Sequence, residues 1–380
     1  NRVVRTTYQD NLDLNFPTNL TAYQSATHYS YDIHGNVKTL VQENKNPALA
    51  TFGHSFKKTE YNYDLISGNV LQVDYQKGKQ DAFHHKYEYD ADNRITNVLT
   101  SKDNVIWSND AKYFYYDHGP LARIEIGDDK VQGLDYAYTI QGWLKAVNGN
   151  VLNPDNDMGQ DGLFSSLHQN VAKDAYGFSL GYFTNDYLAH NTSFLSNISP
   201  YAAIPTNKDL YNGNIAQMAV ALADVDENPI NLMANNYTYD QLNRIKSLKP
   251  YISNTLSYEE AALNSKYESN YQYDPNGNLL TLNRNDGPST NGGAMDNLKY
   301  WYFDNTGGIF DPMNTSSGNP TKATNRLAYV SDAVSTPKMS TDIESQPENN
   351  YAYDRIGNLI KDISEGITDI EWTVYGKIKA

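Results

Sequence analysis

A chain of 380 residues with a formal net charge of −15 and no cysteine lacks the basic surface that nucleic-acid binding requires, and it has no disulfide framework, thiolate metal site or cysteine nucleophile. No apolar run approaches the roughly 18 residues of a membrane helix, and the opening NRVVRTTYQD has no signal-peptide core, so this segment is not expected to insert in a membrane. The 32 Tyr against 11 Phe, in a chain only 39% hydrophobic, favour aromatic area that ends in a hydroxyl.

The first predicted element pair is YSYDIHGNV at 29, with Tyr29, Tyr31, Asp32 and Gly35. Its phrase returns in YNYDLISGNV (Tyr61, Tyr63, Asp64, Gly68) and YEYDADNRI (Tyr87, Tyr89, Asp90). Further along come YTYDQLNRI (Tyr237, Tyr239, Asp240), YQYDPNGNL (Tyr271, Tyr273, Asp274, Gly277) and YAYDRIGNL (Tyr351, Tyr353, Asp354, Gly357). Tyr-x-Tyr at period two puts both rings on one face of a strand. An aspartate followed three or four residues later by glycine or asparagine is turn chemistry, because the carboxylate can take the amides ahead of it and the last residue accepts positive φ. The Leu, Ile or Val that follows starts a return strand. Each copy therefore predicts a β-hairpin.

Weaker copies fill the gaps: FYYDHGPL at 114, YAYTIQGWL at 136, LYNGNI at 210, YWYFDNTGGI at 300, NRL at 325 and EWTVYGKI at 371. Asp32, Asp64, Asp90 and Asp117 are spaced 32, 26 and 27 residues apart. That is shorter and less regular than the ~40-residue blade of a propeller, and an open array tolerant of variable loops fits better. The residues between the paired tyrosines are polar (Ser30, Asn62, Glu88, Thr238, Gln272), which predicts a tyrosine face and a polar face. NIAQMAVAL at 214 and SYEEAALNSKY at 257 are the best candidates for short turns or helices. The loops at 283, 305 and 331 are long, polar and rich in Gly, Ser and Asn, as surface loops are.

The phrase Tyr-x-Tyr-Asp-x-x-Gly-[Asn or Arg]-[Leu, Ile or Val] resembles the YD repeat of the RHS (rearrangement hotspot) family, over roughly residues 23–148 and 235–380. The stretch between them, with DMGQDGL at 157, YGFSLGYF at 176 and LYNGNI at 210, is similar to the longer interrupted repeat of bacterial members. The resemblance implies an all-β fold in which a strip of hairpins spirals into part of a hollow shell. It implies a single array over 1–380: repeats at 23–148, an interrupted repeat with insertions at 149–235, and repeats with long loops at 236–380. The partners it implies are neighbouring repeats, a C-terminal effector of the same chain held as cargo, and a secretion or delivery machine. It implies a secreted or surface location on a bacterium, in a longer chain of which this is a segment. Animal teneurins have a related shell, and an adhesin whose outer loops bind glycans or proteins is the alternative. The family's toxins end the array in a DP-x-G type self-cleavage signature. The nearest stretch here, IFDPMNTSSG at 309, lacks that glycine, so no protease residue is carried over.

No enzyme is expected. The six repeat aspartates occupy one turn position, whereas a catalytic pair occurs once. Adjacent His84 and His85 point to opposite faces of a strand and cannot easily share a metal. No nucleophile elbow or phosphate loop occurs, so neither catalytic nor cofactor-binding residues are assigned, and no cofactor is expected. The one metal-like pattern is NPDNDMGQDG at 153–162, whose Asp155, Asp157 and Asp161 resemble a calcium loop without the bidentate Glu of an EF-hand. A turn-rich crossing loop is the reading preferred for it, with no metal.

Overall fold

The computed structural model describes residues 2–8, 23–149, 152, 155, 157–188, 209–223, 232–255, 257–259, 265–287, 293–311, 323–334, 343–374 and 376–378. Parts of the loops at 153, 283, 305 and 331, and of the copy at 371, lie outside them. The chain divides into two compact units, Asn1–Ala137 with Asn153–Asp174, and Tyr138–Leu152 with Ala175–Ala380. Both are all-β and built from successive antiparallel hairpins. Among the described residues no helix is long and apolar enough to cross a membrane.

In the first unit β1 (Arg5–Tyr8), β2 (Ser25–Tyr31), β3 (Val37–Asn44), β4 (Phe56–Tyr63) and β5 (Val70–Tyr75) pair in sequence order. The series continues through β6 (Phe83–Tyr89), β7 (Ile95–Ser101), β8 (Ser108–Tyr115), β9 (Leu121–Ile126) and β10 (Gln132–Tyr138). Its one described helix, α1 (Pro47–Thr51), is a single turn capped by Asn46, whose side chain accepts the Ala48 amide. The second unit runs β11 (Leu144–Val147), β12 (Tyr176–Gly181), β13 (Gln217–Leu222), β14 (Leu232–Tyr239) and β15 (Ile245–Thr255), again each paired with the next. Beyond it lie β16 (Ser257–Glu259), β17 (Ser269–Tyr273), β18 (Leu279–Asn285), β19 (Ala294–Asp304), β20 (Ile309–Phe310) and β21 (Ala323–Asp332), and a last hairpin of β22 (Tyr351–Tyr353) and β23 (Leu359–Asp362).

Three expectations change. The segment at 214 is strand β13 and not a helix, because alternate residues Gln217, Ala219 and Ala221 are buried at period two. The segment at 257 begins as strand β16, paired to β15, and residues 260–264 fall outside the described part. In the copy at 114 the turn position belongs to Tyr116: its amide donates to Pro120 O, and its carbonyl accepts from the Gly119 amide. Asp117 therefore sits one residue into the turn, and the repeat spacing read from it was one residue too long.

The core of the second unit is a row of four small residues and one tyrosine matched across five strands. Ala146 faces Ser179, Ser179 faces Ala219, Ala219 faces Ala234 and Ala234 faces Tyr251. All five are essentially inaccessible to solvent. In the first unit the comparable buried positions are polar or charged: His84, Arg123, Glu125 and Asp135.

Candidate functional site

The repeat aspartates act as the sequence predicts, within their own turns. Asp32 Oδ1 accepts the Gly35 and Asn36 amides at 2.6 and 2.9 Å. Asp90 and Asp240 take the amides of Arg94 and Arg244, and each also binds that arginine's Nε, at 2.7 and 2.6 Å. Asp274 and Asp354 take the amide and side chain of Asn278 and Asn358. Gly35, Gly277 and Gly357 close these turns at φ of 96 to 100°, where a Cβ would be strained, and Gly68 does so at 76°. In the two copies that read Asn-Arg, Asn93 and Asn243 take the left-handed position instead.

The paired tyrosines divide their work, which the sequence did not reveal. Tyr29, Tyr61, Tyr87, Tyr271 and Tyr351 are half-buried ring positions. The second tyrosine follows a β-bulge in every strict copy, between Asn62 and Tyr63 or Glu88 and Tyr89 for instance. A bulge adds local twist, and this side chain leaves the hairpin toward its predecessor. Tyr63 donates its hydroxyl to Val37 O (2.9 Å), Tyr89 to Val70 O (2.8 Å) and Tyr115 to Ile95 O (2.8 Å). Tyr182, Tyr239 and Tyr302 do the same to Leu144, Ile215 and Leu279. Tyr31 donates to Val3 O, Tyr353 instead accepts from the Leu327 amide, and in the last copy the Trp372 indole donates to Leu359 O.

For Tyr63, Tyr89, Tyr115, Tyr182 and Tyr302 the acceptor is the apolar residue that opens the previous return strand, and for Tyr239 it is Ile215, two residues before β13. It stands two residues ahead of the first ladder pair between hairpins, as Val37 precedes Thr39↔Glu60 and Val70 precedes Gln72↔Lys86. The hydroxyl supplies a donor where the backbone ladder has not begun. A phenylalanine could not, and this accounts for tyrosine at these stapling positions. In the Asn-Arg copies a further link runs forward: Arg94 lies over the Tyr115 ring and donates to Gly119 O, and Arg244 lies over the Tyr273 ring and donates to Asp274 O.

The face opposite the tyrosines is not uniformly hydrated. His84 is buried there, with Nδ1 2.6 Å from Asp74 Oδ1, while His85 is sandwiched between Phe83 and Tyr87. On β9 and β10 the segment 157–174 covers this face and encloses a charged centre. Arg123 faces Asp135 across the two strands and bonds it through Nη1, while Nη2 reaches Asp161 Oδ1 at 2.6 Å. Glu125 is held by Arg123, Lys130 and His168. Gly133 and Gly159 make room, since a Cβ on either would collide with Asp161 or Asp135 and with Arg123.

Asp135, Asp157 and Asp161 each offer a carboxylate oxygen, and the three lie within 4.8 Å of one another. Asp157 Oδ2 accepts the Asp161 amide at 3.1 Å. Asp157 Oδ1 and Asp161 Oδ2 are buried with no hydrogen-bond donor. Burial, above all, pushes the Asp135 carboxyl up to about 7 against the pull of Arg123. Asp161 is raised for the same reason, and Asp174 is raised by burial and by the Asp157 carboxylate beside it. Asp155 is exposed and outside the cluster. The structure thus keeps two of the three aspartates read as a calcium loop and adds Asp135 from β10. An alternation of Arg123-Ile-Glu125 and Gly133-Leu-Asp135 was the available signal, because period two puts those charges on one face.

A second buried pair stands in the other unit, where Lys145 Nζ binds both Asp186 oxygens at 2.7 and 3.0 Å and Asp186 also takes the Tyr182 amide.

No protein-family profile and no curated protein sequence match the chain. Among solved structures it is similar to one described as TcdB2-TccC3-TEV, at 12% identity and a TM-score of 0.37 over 88% of this chain and 15% of that one. TcdB2-TccC3 without its hypervariable C-terminal region follows, at 10% identity and a TM-score of 0.33 over 94% of this chain and 20% of that one. The Photorhabdus luminescens Tc holotoxin pore matches at 11% identity and a TM-score of 0.25, over 93% of this chain and 18% of that one. The chain thus spans about a fifth or less of the length of these proteins.

Proposed function

We propose that this chain is a wall segment of an RHS-repeat shell, whose work is to enclose and carry a C-terminal effector of the same gene product. The observation that carries the reading is the series of tyrosine staples. In most copies, though not at Tyr273, it joins a hairpin to the one before it at a fixed point, whatever the length of the loops between, and repeated addition of this kind would build a wall. Delivery from a bacterium to the outside is the setting for such a container. No group in the described residues is assigned a catalytic role.

Limited proteolysis of the complete gene product tests the proposal. A C-terminal portion that resists protease until the array is unfolded supports it. A C-terminal portion cut as fast with the array folded as unfolded, or a gene product that ends with the array, overturns it. The adhesin reading rests on a different feature: the hairpin tips expose Ile33, Ile66 and Ile356 almost completely. Specific retention of the chain on a glycan or host-protein panel, lost on Ile66→Ser with Ile356→Ser, would favour that reading.

A further inference from the structure

We propose that Asp135, Asp157 and Asp161, with Asp174 beside them, form a binding site for a divalent cation of the calcium class that pins the segment 157–174 onto strands β9 and β10. Three carboxylates gather within 4.8 Å in the interior. Buried like charges at that range repel strongly unless a proton or a cation stands between them. A second observation points to the cation: Asp157 and Asp161 are nearly inaccessible to solvent, and each keeps one carboxylate oxygen without a donor. Such an oxygen costs its full desolvation penalty unless something positive reaches it. Arg123 satisfies only the other oxygen of Asp161, and the Asp157 oxygen that is satisfied takes a backbone amide.

The donor set is hard oxygen alone, with no thiolate, and the nearby His168 is turned to Glu125. That composition suits calcium, or more weakly magnesium, and not zinc or copper. Ligands from β10 and from a glycine-bearing loop also match calcium's tolerance of irregular geometry, where magnesium demands a regular octahedron. The consequence is mechanical. Segment 157–174 adds no strand to the sheet and is tied to the hairpins beneath by Arg123–Asp161 and Glu125–His168, and the ion would add a further tie through its acidic loop. The site stands independently of the shell reading.

The test uses the full 380-residue chain after chelator treatment, with calcium chloride as probe, magnesium chloride for comparison and sodium chloride as ionic-strength control. Titration calorimetry should give one calcium per chain, and calcium at about one hundred times Kd should raise Tm by about 5 °C, reversed by chelator. Asp157→Asn should be no less stable than the parent in chelator, because it relieves the contact with Asp174, and should lose the calcium increment. The exposed Asp129→Asn should keep it. If Asp157→Asn fails to fold, Asp161→Asn and terbium luminescence on the parent chain decide the matter in its place. The proposal is overturned if calcium up to about 10 mM produces neither heat nor a Tm shift, well above the Kd of even weak extracellular calcium modules. It is overturned equally if the increment survives in both variants, or if acidification alone stabilises the chain and calcium does not, since a shared proton would then hold the carboxyl groups.

Discussion

Replacing Tyr89 by phenylalanine removes one hydroxyl and nothing else. Its hydrogen bond to Val70 O is 2.8 Å long, and Val70 precedes the first ladder pair of β5 and β6, Gln72↔Lys86. A lost hydrogen bond that leaves an acceptor unsatisfied costs ~1–3 kcal/mol, and partial access of water to a half-buried tyrosine puts this case near ~1 kcal/mol. For a unit of this size that lowers Tm by about 2–4 °C. Tyr87, on the same strand, is the internal control: its ring stacks on His85, but no hydrogen bond from its hydroxyl is found among the described residues. Tyr87→Phe should therefore cost a few tenths of a kcal/mol at most. Because Tyr63, Tyr89 and Tyr115 share no acceptor, the triple phenylalanine variant should lose roughly three times the single value. Urea unfolding followed by circular dichroism reads all of these. Equal stability of Tyr87→Phe and Tyr89→Phe would refute the staple.

Gly277→Val should cost about 2 kcal/mol or more through backbone strain alone, since φ is 96° and nothing lies within 4 Å of the added Cβ, whereas Gly277→Asn should be nearly neutral, as Asn93 and Asn243 fill the same position; thermal melts of the two variants separate the cases. Lys145→Met leaves Asp186 buried and unpaired and should cost about 3–5 kcal/mol, with Lys145→Met plus Asp186→Leu recovering much of it in denaturant titrations. Amide hydrogen bonds from Ser67, Arg94 and Arg244 hold Asp64, Asp90 and Asp240 below the ordinary carboxylate range. Their contribution is complete above about pH 4 and is lost as the pH falls through the lowered values, so these turns should weaken on acidification, which an acid melting series reads against Asp64→Asn, Asp90→Asn and Asp240→Asn. Burial raises Tyr89, Tyr115 and Tyr239, so their contribution is complete below about pH 10 and is lost as the pH rises beyond it, which an alkaline melting series reads against the phenylalanine variants.

The hairpins were legible because every determinant is local: two rings at period two, a carboxylate that caps its own turn, and a residue that accepts positive φ. The staple was not, because it joins Tyr89 to Val70 and Tyr239 to Ile215 through a bulge that no composition announces. Asp117 misled because a Tyr-Tyr-Asp run offers two registers, and only the Tyr116 to Pro120 bond chooses between them. The segment at 217 suggests a short turn or helix because Ala and Met have high helix propensity, which pairing on both sides as a strand overrides. The acidic centre was half visible. Asp157 and Asp161 stand out in one loop, but Asp135 joins them only through the register of β10 and the way the loop folds back on it.

The central claim is that these hairpins form the wall of a container, and a cryo-EM density map of the complete gene product tests it most directly. The account predicts a shell whose strands include Tyr63, Tyr89 and Tyr239 in their stapled positions, with polypeptide density enclosed by it. A solid or empty interior, with ligand density confined to the outer loops, would contradict it.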